Sequence, residues 1–174
     1  IHFLHGNAEE GRRLAGRVLP TEGNMGTEWD LAYTRREPLG VVAAILPFNF
    51  PVELFIEKCA AALVGGNAVV VKPPLEAPLV VERFREAMIA AGIPADVLAA
   101  VHGGADVGAA LAEAPGVDAI SLTGSTAAGI AVAKATADTQ AGSTRLLEAS
   151  QRPNREIQQA PASVLAMAQS INEV

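Results

Sequence analysis

The sequence is short of thiols, aromatics and clustered positive charge. Among its 174 residues there is one cysteine, Cys59. That excludes a disulfide framework and makes a reducing, cytoplasmic setting the expectation. Aromatics are only 4%, so the apolar half of the chain is built from Ala, Val, Leu and Ile. Such a composition suits helices layered on a parallel sheet. No basic stretch exceeds the pairs Arg12-Arg13 and Arg35-Arg36, and the net charge is -6. A nucleic-acid partner therefore has no electrostatic footprint. No apolar run approaches the roughly 20 residues that span a bilayer. His2, His5 and His102 have no ligand spacing, so no metal site is expected. A G-x-G-x-x-G fingerprint is absent too. The start, Ile1-His2-Phe3-Leu4-His5, is too short and polar for a signal peptide. It lacks an initiator Met, and the chain is expected to begin inside a longer protein.

What is present is a rhythm. A first helix is expected with Asn7 as its cap and Glu9 and Glu10 in its first turn, running to about Val18. Residues 27–36 read as an extended edge segment. From Gly40 onward, apolar strands alternate with helical patterns. Strands are expected at 41–46, 68–71, 97–101, 117–122 and 144–148. Helices are expected at 52–64, 79–91, from 106 to about 114, and from about 123 to 137. Gly65-Gly66 and Gly92 stop the first two of these. Five strands joined by helices imply right-handed βαβ crossovers. The expected fold is therefore α/β and Rossmann-like: three layers around a five-stranded parallel sheet, plus a short N-terminal helix and extended segment. The expected division is 1–36, 37–148 and a divergent tail, 149–174.

Ligands of an open parallel sheet bind beyond the carboxyl ends of its strands. The informative residues are those just after each strand: Pro47-Phe48-Asn49-Phe50-Pro51, Lys72-Pro73-Pro74, His102-Gly103-Gly104, Thr123-Gly124-Ser125-Thr126, and Glu148. Gly124 lets the backbone turn tightly. Ser125 either caps its helix or donates to a phosphate at the helix N-terminus. Lys72 either aims its ammonium at a ligand from an extended, proline-held turn or snorkels to water. Asn49, read as buried, is either a loop amide bonded to backbone or a donor held for developing negative charge. Glu148 is either a general base or a solvent-seeking strand end. Cys59, mid-helix among Ala and Leu, reads as a structural thiol.

Taken in order, Glu37-Pro38-Leu39-Gly40-Val41-Val42, Pro47-Phe48-Asn49-Phe50-Pro51, Ala62-Leu63 with Gly66-Asn67, Val71-Lys72-Pro73 and Thr123-Gly124-Ser125-Thr126 resemble the aldehyde dehydrogenase superfamily. The likeness runs from about Ala8 to Glu148. It implies an NAD- or NADP-binding domain. Asn49 would supply the side-chain half of an oxyanion hole, Lys72 would contact the adenosine ribose, and Ser125 the pyrophosphate. Ile45, Leu46 and Phe48 would line the cofactor channel, with Gly124 at the phosphate turn, and Glu148 would be the general base. The implied activity is oxidation of an aldehyde, the small-molecule partner, to a carboxylic acid, in a family that forms homo-oligomers. Three departures stand out. Ala149-Ser150-Gln151 replaces the family's Leu-Gly-Gly. No cysteine follows Glu148, so this chain is expected to be a cofactor-binding fragment or truncated form; the alternative is a non-catalytic nucleotide-binding or assembly module. Third, Leu75 stands where the family often has a ribose-binding acid, with Glu76 one later, which leans toward tolerance of NADP.

Overall fold

Alternating apolar runs and proline-started helices produce a sheet with a helix returning over it after each strand. The computed structural model describes residues 2–21, 26 and 30–137. The chain divides into two compact units, Ile1–Thr136 and Ala137–Val174, and nearly all the described residues belong to the first.

Four strands form the central sheet: β3 (Val41–Ile45), β4 (Ala68–Lys72), β5 (Leu98–Ala100) and β6 (Ala119–Leu122), in spatial order β5-β4-β3-β6. All pairings are parallel, with Val42 opposite both Val69 and Ala119. The sheet grows outward from β3 to β4 to β5, then crosses back to place β6 on the other side of β3. That reversal creates a crevice between β3 and β6 at their carboxyl ends. The sheet thus has four strands among the described residues, where five were expected. The strand expected at 144–148, together with Glu148 and the tail, lies outside the described residues. Among the described residues β5 and β6 are the two edges, and β6 is only half-buried along its length.

Proline and glycine set the helix limits. α2 (Pro51–Phe55), a π-helical turn (Ile56–Ala60) and α3 (Ala61–Val64) run on as one rod, and α4 spans Pro78–Ala90. Both start with Pro at the first turn, where the missing N–H costs nothing. The rod ends at Gly66, whose φ of 83° lets the Asn67 amide reach back to the Ala62 carbonyl at 3.0 Å. The Asn67 side chain then accepts from the Leu39 and Gly40 amides (2.6 and 3.0 Å) and donates to Ala62 O (2.9 Å). One side chain therefore ties the rod's end to the start of β3. α5 (Ala105–Glu113) and α6 (126–137) follow β5 and β6.

The two faces of β3 bury different things. Val42, Ala44 and Leu46 join Val69, Val71 and Leu98 against Phe55, Cys59 and Val81 of the rod and α4. Phe55 and Phe84 meet edge to face, with centroids 5.5 Å apart at 79°. Ala43 and Ile45 are buried on the opposite side, where α5 and α6 lie. This is the three-layer arrangement expected.

The N-terminal expectations need correction. α1 spans His2–Gly11, so Asn7 lies mid-helix and is not its cap. Its amide donates to Phe3 O at 2.9 Å, and Leu4 packs against the core cluster; tertiary contact outweighs the local capping preference. Val18 is not the helix end. With Leu19 it forms β1 (Val18–Leu19), antiparallel to β2 (Ala32–Tyr33), so the extended segment is half of a two-residue ribbon.

Candidate functional site

The turns after β3, β4, β5 and β6 meet around one groove of about 530 Å³. The turn after β3 is anchored by the Leu46 amide donating to Lys72 O (3.1 Å), and the turn after β6 by the Thr123 amide donating to Ile45 O (3.2 Å). Ile45, Leu46, Phe48, Asn49, Lys72, Gly124 and Ser125 all border the groove. The structure therefore brings together every site residue expected from the sequence except Glu148, which lies outside the described residues.

Lys72 forms the floor. It is the one buried charged side chain among the described residues, at 7% exposure. It does not snorkel to water. A Cβ added at Gly108 of α5 would meet its stem at ordinary contact distance, and Nζ donates to Pro73 O at 3.3 Å. A buried ammonium with so little counter-charge favours an anionic or strongly accepting partner. The prolines hold the turn extended and are themselves buried.

Ser125 sits just before α6. Its Oγ accepts from the Ala128 amide at 3.2 Å, so it is an N-cap. The hydroxyl hydrogen is still free to donate. The amides of Thr126 and Ala127 precede the first intrahelical bonds and carry the partial positive charge of the helix start. Gly124 departs from expectation. Its φ lies outside the left-handed region, and an added Cβ would meet Leu122 and Ala128 only at 3.8 Å. The turn itself does not require glycine.

Asn49 also departs from expectation. It is exposed, as are its neighbours Phe48 (66%) and Phe50 (58%). Its side chain makes no hydrogen bond among the described residues. The Phe-Asn-Phe turn stands at the groove's mouth, not inside the core.

Cys59 is far from this chemistry. It lies fully buried on the other face of the sheet, and burial pushes its thiol up from the ordinary 9.0 to about 12, against a smaller lowering by Lys58. A thiol that stays protonated is no nucleophile. The sign of the linkage gives a prediction. The folded state keeps the proton while the unfolded state loses it above about pH 9. Stability is thus intact below pH 9 and declines between 9 and 12, by up to about 1.4 kcal/mol per pH unit. Urea melts at pH 8.5 and 10.5 should show this loss in the wild type and a shallower one in Cys59→Ala. Equal slopes would refute it.

Two features have no counterpart among the expectations from sequence. A second hollow of about 340 Å³ opens between α5 and α6, walled by Gly108, Ala109, Ala112, Ala128, Ala131 and Val132. Small residues spaced three and four apart along both helices were the available signal. Ile45, Lys72, Gly104, Ala105, Leu122 and Ala128 border both hollows, which makes them two lobes of one site. The second feature is a polar chain of His102, Glu82 and Arg85 beside the groove, in which His102 Nε2 and Arg85 Nε each lie 2.9 Å from a Glu82 carboxylate oxygen. Nothing in the linear sequence pairs residues 20 positions apart. No cluster of His, Cys, Asp and Glu among the described residues could hold a metal. No helix there is long and apolar enough to cross a membrane.

The model of the aldehyde dehydrogenase family matches residues 1–151. Aspartate-semialdehyde dehydrogenase 1 of Pseudomonas canavaninivorans is 39% identical over 134 residues, covering 77% of this chain and 28% of the relative. Alpha-ketoglutaric semialdehyde dehydrogenase of Bacillus subtilis is 43% identical over 137 residues, covering 78% and 27%. The solved NADP-dependent glyceraldehyde-3-phosphate dehydrogenase of Bacillus halodurans, complexed with NADP, superposes with a TM-score of 0.73 at 40% identity, covering 76% and 28%. The chain thus spans little more than a quarter of the length of these relatives.

Proposed function

We propose, on the premise that this chain belongs to the aldehyde dehydrogenase family, that it is the NAD- or NADP-binding part of an enzyme that oxidises an aldehyde to a carboxylic acid. The observation that carries this reading is the buried ammonium of Lys72 at the junction of two lobes, in the crevice where the strand order reverses. The slot between α5 and α6, walled mainly by small apolar side chains with Glu113 also lining it, suits a flat base. The open helix start at Ser125 suits a diphosphate. Lys72, at the junction, suits the hydroxyls of the ribose between them. A dinucleotide needs those three environments in that order, so the residues present fit it.

When bound, the nicotinamide takes up a hydride. This chain's residues bind and orient. Ser125 donates to the diphosphate, Lys72 donates to the ribose, and Ile45, Leu46 and Phe48 give the channel its apolar wall and limit water at the reacting end. Asn49, at the mouth, would donate its amide N–H to an oxyanion as negative charge develops on the substrate. Its exposure leaves room for a substrate to meet it. Glu148 would serve as the base that activates water. The one thiol, Cys59, faces the wrong side of the sheet. Leu75 and Glu76, both exposed, border the ribose end. Leucine at the first position removes a charge that would repel a 2′-phosphate, and NADP is expected to be accepted alongside NAD.

The test is calorimetric titration of the purified 174-residue chain with NAD+ and NADP+, paired with an aldehyde-dependent reduction assay. Saturable 1:1 binding of at least one dinucleotide is expected, with no reduction above background. Failure of both to bind sinks the cofactor reading, and turnover by this chain alone sinks the division of labour.

A further inference from the structure

The slot between α5 and α6 is apolar along its walls but not at its far end. Ile45, Lys72 and Gly104 stand where it opens to the main groove. Farther along α5 come Gly108, Ala109 and Ala112, and Glu113 is last. Lys72 and Glu113 are the only charged side chains lining the slot among the described residues, and Glu113 does not border the main groove. A Cβ at Gly108 would touch the Lys72 stem. From there to Glu113 is about 7.5 Å along the helix axis.

The fold gives no reason for an acid at that position. Glu113 ends α5, and the last turn holds no basic residue. The partial negative charge of a helix C-terminus disfavours a carboxylate. The side chain is exposed, and it makes no hydrogen bond or ion pair among the described residues. Its one distinction is to border the slot. A pocket that is apolar on its walls and polar at one point fixes the orientation and identity of what enters it. A purine seated there with its sugar at Lys72 turns the edge opposite its glycosidic bond away from the junction, toward Glu113. That edge tells purines apart. A 6-amino purine presents N–H donors, and a 6-oxo purine presents a carbonyl oxygen. A carboxylate only accepts, so it bonds the first and opposes the second. The glycine and alanine walls cannot separate two bases of the same shape.

We propose that Glu113 is a specificity-determining residue that accepts from the 6-amino group of the base, so that the slot takes adenine in preference to a 6-oxo purine. This rests on the dinucleotide reading above. Titrate the 174-residue chain at pH 7.0 with NAD+ and with its hypoxanthine counterpart, and with the corresponding NADP+ pair, and take the ratio of dissociation constants within each pair. Members of a pair carry the same charge, so repulsion between Glu113 and the phosphates cancels in the ratio. The wild type should favour the adenine form by about tenfold, the scale of one hydrogen bond to a charged group. In Glu113→Ala the ratio should fall to about one, through loss of affinity for the adenine form. In Glu113→Gln, whose amide can accept from one base or donate to the other, both forms should bind with a ratio near one. Both variants should melt no lower than the wild type, since each removes an acid from a helix C-terminus. A ratio of one in the wild type, or the wild-type ratio kept in Glu113→Ala, overturns this proposal and leaves the cofactor reading standing. Binding of none of the four dinucleotides overturns both.

Discussion

Replacing Lys72 by methionine should weaken dinucleotide binding by about ten- to a hundredfold and leave the fold as stable as before or more so. The two halves have different causes. The ammonium is buried and donates to one backbone carbonyl, so in the free protein it bears a desolvation penalty with little compensation. Methionine keeps an apolar stem beside Gly108 and removes that penalty. In the bound state the lost group is a charged donor to the ribose, an interaction on the scale of about 1.5–3 kcal/mol. Calorimetry measures the first effect and a thermal melt the second. A large drop in melting temperature with unchanged affinity would mean that Lys72 is structural and that the groove is used for something else.

Phe55→Ala should be the most destabilising substitution in the unit, at about 3–5 kcal/mol. Phe55 is fully buried where the rod, α4 and the sheet meet, and its ring packs edge to face on Phe84. Removing it opens a cavity beneath β3 that the sheet cannot collapse into, because Ala44 and Val71 there have 0% exposure and their strands are locked by ladder pairing. Against a typical total of about 5–15 kcal/mol, such a loss leaves a large unfolded population in mild urea. A midpoint shift equivalent to less than about 1 kcal/mol would show that the cluster around Phe55 is not the core. Loss of cofactor binding should follow unfolding in this variant and precede it in Lys72→Met, so the two substitutions separate site from scaffold.

The parts of the fold legible in the sequence are those where local chemistry and global packing agree. The apolar runs at 41–46 and 68–71 can only be buried on both faces. Pro51 and Pro78 start helices, and Gly66 and Gly92 end them, as backbone sterics require. Strand ends in a parallel sheet are where ligands bind, so position singles out the turns that hold Phe48, Asn49, Lys72 and Ser125, while the roles given to those residues rest on the resemblance of the ordered motifs. The illegible parts lack a local signal. A two-residue ribbon has no periodicity, so Val18 reads as the end of the preceding helix. Asn7 fits a cap by residue type, but the docking of Leu4 places it one turn inside a helix. The π-helical turn at Ile56–Ala60 leaves the hydrophobic pattern unchanged. The exposure of Asn49 and the pairing of Glu82 with His102 depend on which way side chains point, which spacing does not encode.

Amide hydrogen exchange with and without saturating NADP+ is the most direct trial of the central claim, that the ends of β3 and β6 cradle a diphosphate. Slowing concentrated at residues 123–128 and 104–106, with the β1–β2 ribbon unchanged, is the predicted result. Exchange at those turns that is indifferent to a bound dinucleotide, or slowing confined to another part of the chain, would contradict it.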